Sequence, residues 1–176
     1  MIRNKLSAIS SAAFLLVILV SCKPRKAIAL RENIVQKERV AFKILVGKNG
    51  SNEQKLKSLI SKDYKNAVMM VDKQEKEFNA LIKEIETLPA EGIQQGNELK
   101  TAAVNYYVAV KELTVFDRIE ITHQEAYSRM QGKELDTALH KNLELSIQKQ
   151  GLYKKVYEKE KAFSEALENF KTVNNL

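Results

Sequence analysis

The sequence predicts an all-α fold: an elongated antiparallel three- to four-helix bundle that follows a cleaved signal peptide. Only 6 glycines and 2 prolines punctuate 176 residues. Apolar residues recur at alternating four- and three-residue steps over long stretches. That is the repeat of a helical packing seam rather than the two-residue alternation of a strand. The single cysteine, Cys22, excludes an intramolecular disulfide, so the fold has to stand on apolar packing.

The leader comes first. Met1 to Lys5 is a basic head with Arg3 and Lys5, and Leu6 to Val20 is apolar apart from Ser7, Ser10 and Ser11, the pattern of a secretory signal. Its uninterrupted part, Ala12 to Val20, would span about 14 Å as a helix, well short of the ~20 residues that cross a bilayer. Leu19-Val20-Ser21-Cys22 resembles the bacterial lipobox, with a branched residue three positions before the cut and a small one just before the cysteine. The resemblance implies that residues 1–21 are removed and that Cys22 carries a diacylglycerol thioether and an acylated amino terminus. At ~0.8 kcal/mol per buried CH₂, two or three such chains would hold the protein to a membrane. Lys23 stands where an aspartate would mark inner-membrane retention, which implies the outer membrane of a bacterial envelope. The Ser-Cys-Lys start is similar to that of small helical envelope lipoproteins of Bacteroidota and spirochaetes. The lack of an acidic cluster in Lys23-Pro24-Arg25-Lys26 then implies a periplasm-facing module.

Residues 22–26 are expected to form the lipidated cysteine and a short basic tether, and residues 27–176 one helical bundle domain, enough chain for a sizeable core. In the first helix, Ala27 to Val46, Ile28, Ile34 or Val35, Ala41, Phe42 and Leu45 form an irregular stripe that ends at Gly47-Lys-Asn-Gly50. Ser51-Asn-Glu-Gln54 has the form of a capping box and opens a second helix. Its seam runs Ile60, Tyr64, Ala67, Val71, Gln74, Phe78, Leu81, Ile85 and Leu88, widened by Leu56, Leu59, Val68 and Ile82, and Pro89 stops it. The third helix, with Asn97 as its expected cap, carries Leu99, Ala103, Tyr106, Val110 and Leu113. Its register blurs over Val115 to Thr122, whose residues favour extended chain. After Gly132 the last helix runs from about Lys133 to Thr172 on Leu135, Leu139, Leu143, Ile147, Val156, Phe163, Leu167 and Phe170. Gly151 interrupts it, as a bend or a close contact.

Charge is uneven. Residues 23–46 carry a net charge of +5, from Lys23, Arg25, Lys26, Arg31, Lys37, Arg39 and Lys43 against Glu32 and Glu38, whereas residues 47–176 sum to zero. Of these, Lys23, Arg25, Lys26 and Arg31 lie closest to the anchor. They would meet anionic headgroups at about 1 kcal/mol each at most. A nucleic-acid site would want aromatic platforms among these cations, and only Phe42 lies there, so nucleic acid is not an expected partner.

No reaction centre is legible. Glu120 and His123 have the E-x-x-H spacing of di-iron bundles, but a full site needs a second such pair, and the other histidine, His140, has Thr137 where the glutamate should be. Asp136 and His140 make at most an i,i+4 contact. Ser128, Ser146 and Ser164 have neither a glycine-rich elbow nor an adjacent histidine. Phosphate-cradling glycine loops are missing from the sequence, so no metal and no cofactor is expected. Tyr107, turned about 100° from the seam residue Tyr106, and Tyr153 are the candidate contact surface. The alternative for Tyr106-Tyr107 is that both complete the core. The expected function is a noncatalytic, lipid-anchored helical envelope module, not an enzyme, that touches the membrane through its lipid and an envelope protein as partner. Two alternatives stand beside it: a carrier of an apolar or amphipathic small molecule in a groove between helices, and an enzyme without a recognisable motif.

Overall fold

The computed structural model describes residues 25–176. Cys22 and Lys23 therefore lie outside the described residues. The fold is all-α, with five helical segments: α1 (Arg25–Val46), α2 (Ser51–Ile60), α3 (Tyr64–Glu86), α4 (Gly96–Tyr127) and α5 (Lys133–Asn174). They make four columns, because α1 and α2 follow one another along the same side of α3. Lys37 pairs with Glu84, the Ser51 hydroxyl donates to Glu77 at 2.6 Å, and Asn66 donates to Ser58 at 2.7 Å, so the first column climbs antiparallel to α3. Arg25 and Lys26, expected in the tether, are already helical.

The chain reverses within the expected second helix, and here the structure corrects the sequence reading. Helix α2 closes on a Schellman motif: the Asp63 N–H donates to the Ser58 carbonyl at 2.8 Å and the Lys62 N–H to the Leu59 carbonyl at 3.1 Å. Lys62 takes the left-handed conformation at φ 58°, a position usually held by glycine. Asp63 then caps α3 by accepting from the Asn66 N–H at 3.0 Å. With no glycine or proline at the turn, the four-three repeat runs across it uninterrupted. Ile60, a seam residue by periodicity, is 84% exposed, and Leu56 is exposed too.

From Ala67 to Ile85 the expected seam is the observed one: Ala67, Val71, Gln74, Phe78, Leu81 and Ile85 are all buried. The capping box is not formed. Gly50 precedes the first turn of α2, the Ser51 hydroxyl goes to Glu77, and Gln54 donates to the Asn49 carbonyl. Asn52 instead joins the two halves of the first column by donating to the Leu45 carbonyl at 2.8 Å. Asn97 lies inside α4, whose cap position is Gln95 at φ 58°. Gly96 is required by close packing, since a Cβ there would sit 2.9 Å from the Ala90 carbonyl oxygen.

Helix α4 runs unbroken through Val115 to Thr122. Its buried face is Leu99, Ala103, Tyr107, Val110, Thr114 and Ile121, which leaves Tyr106 half-buried and turns Tyr107 inward. Tyr107 is 1% exposed and therefore is not the outward-facing anchor that its offset from Tyr106 implied. On α5 the register also shifts. Ala138 and Leu145 are buried, while Leu139, Leu143 and Ile147 are exposed. The observed seam continues in four-three steps through the half-buried Lys149, Leu152 and Val156 to Phe163 and Phe170. A lysine in that seam hides it from a reading of apolar residues alone.

The helix continues through Gly151, and a Cβ there would meet nothing within 4 Å. Gly151→Ala is therefore expected to stabilise the domain, and Lys62→Gly to do so by relieving the left-handed backbone, each by up to about 1 kcal/mol. Chemical denaturation of each variant measures the change.

Candidate functional site

Two places bring polar side chains into the helical packing. The first joins three helices. Asp117 on α4 accepts from Lys55 on α2 and, at 2.9 Å, from Lys149 on α5, which also reaches Glu120. The Lys55 side chain is 6% exposed and that of Asp117 18%. Burial pushes the Asp117 carboxyl up, but hydrogen bonds from Lys55 and Lys149 and their charges outweigh it, and its pKa is lowered. Lys149 is the mirror case: burial disfavours its charge, and the bonds to Glu120 and Asp117 raise its pKa. A chain of opposite charges with each member bonded is an interior clamp, since removing one partner would strand a buried ion.

This cluster also settles the Glu120/His123 spacing. Glu120 is spent on Lys149, while His123 Nε2 lies 3.2 Å from the Ala138 carbonyl oxygen. The two side chains serve separate contacts with α5. Among the described residues no group of three or more potential metal ligands occurs.

The second place is a groove of about 350 Å³ between α1 and α5, floored by α4. Its floor is aromatic: the Tyr106 and Phe163 rings stack at 5.8 Å, and Tyr107 lies 6.4 Å from Phe163 at a tilt. Phe42 and Leu45 from α1 and Leu167 from α5 supply its apolar sides, and Phe42 is 67% exposed. Glu38 of α1 and Glu160 of α5 also line it. Among the described residues neither carboxylate forms an ion pair within 4.0 Å, although salt bridges are frequent elsewhere on the molecule. The Tyr107 hydroxyl is buried and has no hydrogen-bond partner. A buried hydroxyl left unpaired costs about 1–3 kcal/mol, so such groups are uncommon unless something satisfies them.

Glu38 and Glu160 are exposed at the groove, whereas Tyr107 is buried. Burial raises the Glu38 pKa, with Lys171 pulling the other way. Burial, then Glu160 and Glu38, raise that of Tyr106, while burial, then Glu38 and Tyr106, raise that of Tyr107. The negative charge of Glu38 thus acts at both tyrosines and that of Glu160 at Tyr106. Sequence reasoning missed Glu38, Glu160 and Phe163 as neighbours because they come from helices more than a hundred residues apart. It noticed the tyrosine pair and left two readings open; the core reading is the observed one, with Tyr107 in the core and Tyr106 packed against it.

Of the other sites read from the sequence, Tyr153 is exposed and lines a hollow with Glu120 and Lys149. Arg25 and Lys26 are exposed on α1, and Arg31, nearly two turns after Arg25, is half-buried. No described helix is long and apolar enough to cross a membrane. No family model, curated protein or solved structure matches the chain.

Because the Asp117 pKa is lowered in the fold, its ionised form contributes stability above the ordinary carboxylate range near pH 4, and this is lost as the pH falls through its lowered value. Asp117→Asn, which strands Lys55, is expected to cost about 3 kcal/mol at neutral pH and much less under acid. Thermal unfolding of both proteins across that range checks the convergence.

Proposed function

We propose that the protein is a noncatalytic, lipid-anchored helical module held at the surface of a bacterial envelope membrane, with the outer membrane favoured over the inner. The observation that carries this reading is the short distance between the anchor motif and the fold. Helix α1 already includes Arg25, three residues after Cys22, a separation of at most about 11 Å of extended chain. Acylation at Cys22 would therefore hold one end of the bundle against the headgroups rather than on a long leash.

That end is defined by contacts. Leu30 of α1 packs beside Gly96 at the start of α4, and Asn174 at the end of α5 donates to the Gln94 carbonyl at 2.9 Å. The connection between α3 and α4 and the carboxyl end of α5 would thus share the membrane-proximal face with Arg25 and Lys26. Their charges favour an anionic lipid surface, which supports the same orientation. The columns then extend away from the bilayer, with Tyr153 presented on α5 for an envelope protein partner.

A second reading is favoured by one observation, the unpartnered Tyr107 hydroxyl beside the α1/α5 groove. In that reading the module carries an amphipathic small molecule. The two readings are compatible, since an anchored domain can hold a ligand in a groove that faces water.

Cys22→Ser is expected to abolish membrane retention while leaving helical content and thermal unfolding unchanged. Fractionation of native-host envelopes after high-salt and carbonate washing tests it, and a serine variant still found in the membrane pellet would overturn the anchor.

A further inference from the structure

We propose that the groove between α1 and α5 binds an organic ammonium ion with an aromatic or other apolar body, its nitrogen held between Glu38 and Glu160 and its body against Phe42, Leu45 and Phe163. This deepens the carrier reading and rests on it. The groove itself specifies the chemistry. A wholly apolar guest would leave the Tyr107 hydroxyl unpaired, and an anion would meet two carboxylates, of which Glu38 feels the charge of Lys171 without an ion pair within 4.0 Å among the described residues. An ammonium group meets all three needs. Its N–H groups donate to both carboxylates and to the Tyr107 oxygen, and its charge is attracted by the electron-rich faces of nearby aromatic rings.

The size fits as well. A space of about 350 Å³ lies at the lower end of small-molecule sites, room for a ring or a short alkyl body rather than a lipid. Position along the fold selects the source. Glu38 is 13 residues beyond Arg25 on a continuous helix, about 20 Å along its axis. A bilayer at the Arg25 end would leave the groove in water, beyond the reach of a headgroup amine, so the guest is a dissolved molecule. The partial burial that raises the Glu38 pKa also means that a bound cation favours its ionised form, so binding weakens as acid protonates it.

Phenethylammonium is a suitable probe, with phenethyl alcohol as its neutral counterpart and hydrocinnamate as its anionic one. Isothermal titration of the full chain in detergent, corrected by a micelle-only titration, should show saturable one-to-one binding of the ammonium. The alcohol and the carboxylate should bind about ten-fold more weakly, the loss expected of two exposed charge contacts together. Glu38→Gln combined with Glu160→Gln should bring the ammonium down to the level of the alcohol. Tyr107→Phe should weaken binding a few-fold while leaving thermal stability unchanged or higher, because it removes an unpaired buried hydroxyl. If alcohol and ammonium bind equally well, the groove is a carrier site without charge selection and the ammonium proposal falls. If none of the three binds saturably, the carrier reading falls with it. Unchanged ammonium binding in the double glutamine variant would place the site elsewhere and also overturn the proposal.

Discussion

Every column of this bundle is fastened to α4. The helix packs against α3 on one side and α5 on the other, it touches α1 near its start, and Asp117 reaches α2 through Lys55. With a single cysteine, this chain has no internal disulfide to fix those relations. Burial of the Phe78, Leu81 and Ile85 face of α3 together with Leu99, Ala103 and Tyr107 supplies the cohesion, at roughly 25 cal/mol for each Å² of apolar surface removed from water. Apolar burial holds helices together but discriminates weakly between registers that slide by one turn. The Lys55–Asp117–Lys149 chain makes that discrimination, because a slide would leave a charge inside without its partner.

The same arrangement creates the groove. Along the α2 half of the molecule the first column leans on α3 and, through one ion pair, on α4. Along the α1 half it meets α5 through Ala41, Phe163 and Phe170 in the common core. Two helices that share a floor helix without meshing ridge into groove leave a channel between them. Its lower wall is the aromatic cluster on α4 and α5, and its rim carries the acidic residues of both sides. A polar hydroxyl buried without a partner is costly in a fold as closely satisfied as this one. Besides Tyr107, the only other side chain with such an atom among the described residues is Gln74, which still donates to Asn52 at 3.4 Å.

The polarity of the molecule along its length joins these features. Within residues 23–176 the excess positive charge is confined to residues 23–46, and the first of those cations stand at the end from which an anchor at Cys22 would emerge. The groove opens farther along α1, and the exposed Leu139, Leu143 and Ile147 of α5 lie toward the opposite end. The chemistry of the bundle thus changes along its length: it is basic at the Arg25 end, acidic and aromatic midway, and apolar toward the start of α5.

The sequence by itself determined the fold class, six of the eight helix ends after α1 to within a few residues, and the packing seam from Ala67 to Ile85. These are local properties: periodicity, turn residues and helix breakers act over a few residues and need no partner to be read. Tertiary structure decided the rest. The reversal at Ser61 to Asp63 relies on a lysine adopting the left-handed backbone, which only the docking of α2 on α3 compensates. The burial of Tyr107 and the exposure of Leu139, Leu143 and Ile147 depend on which face of α4 meets which face of α5. Lys149 can occupy that seam only because Asp117 and Glu120, about thirty residues away, wait opposite it. Periodicity registers hydrophobicity, whereas a charge that is paired in the interior reads as surface until its partner is in place.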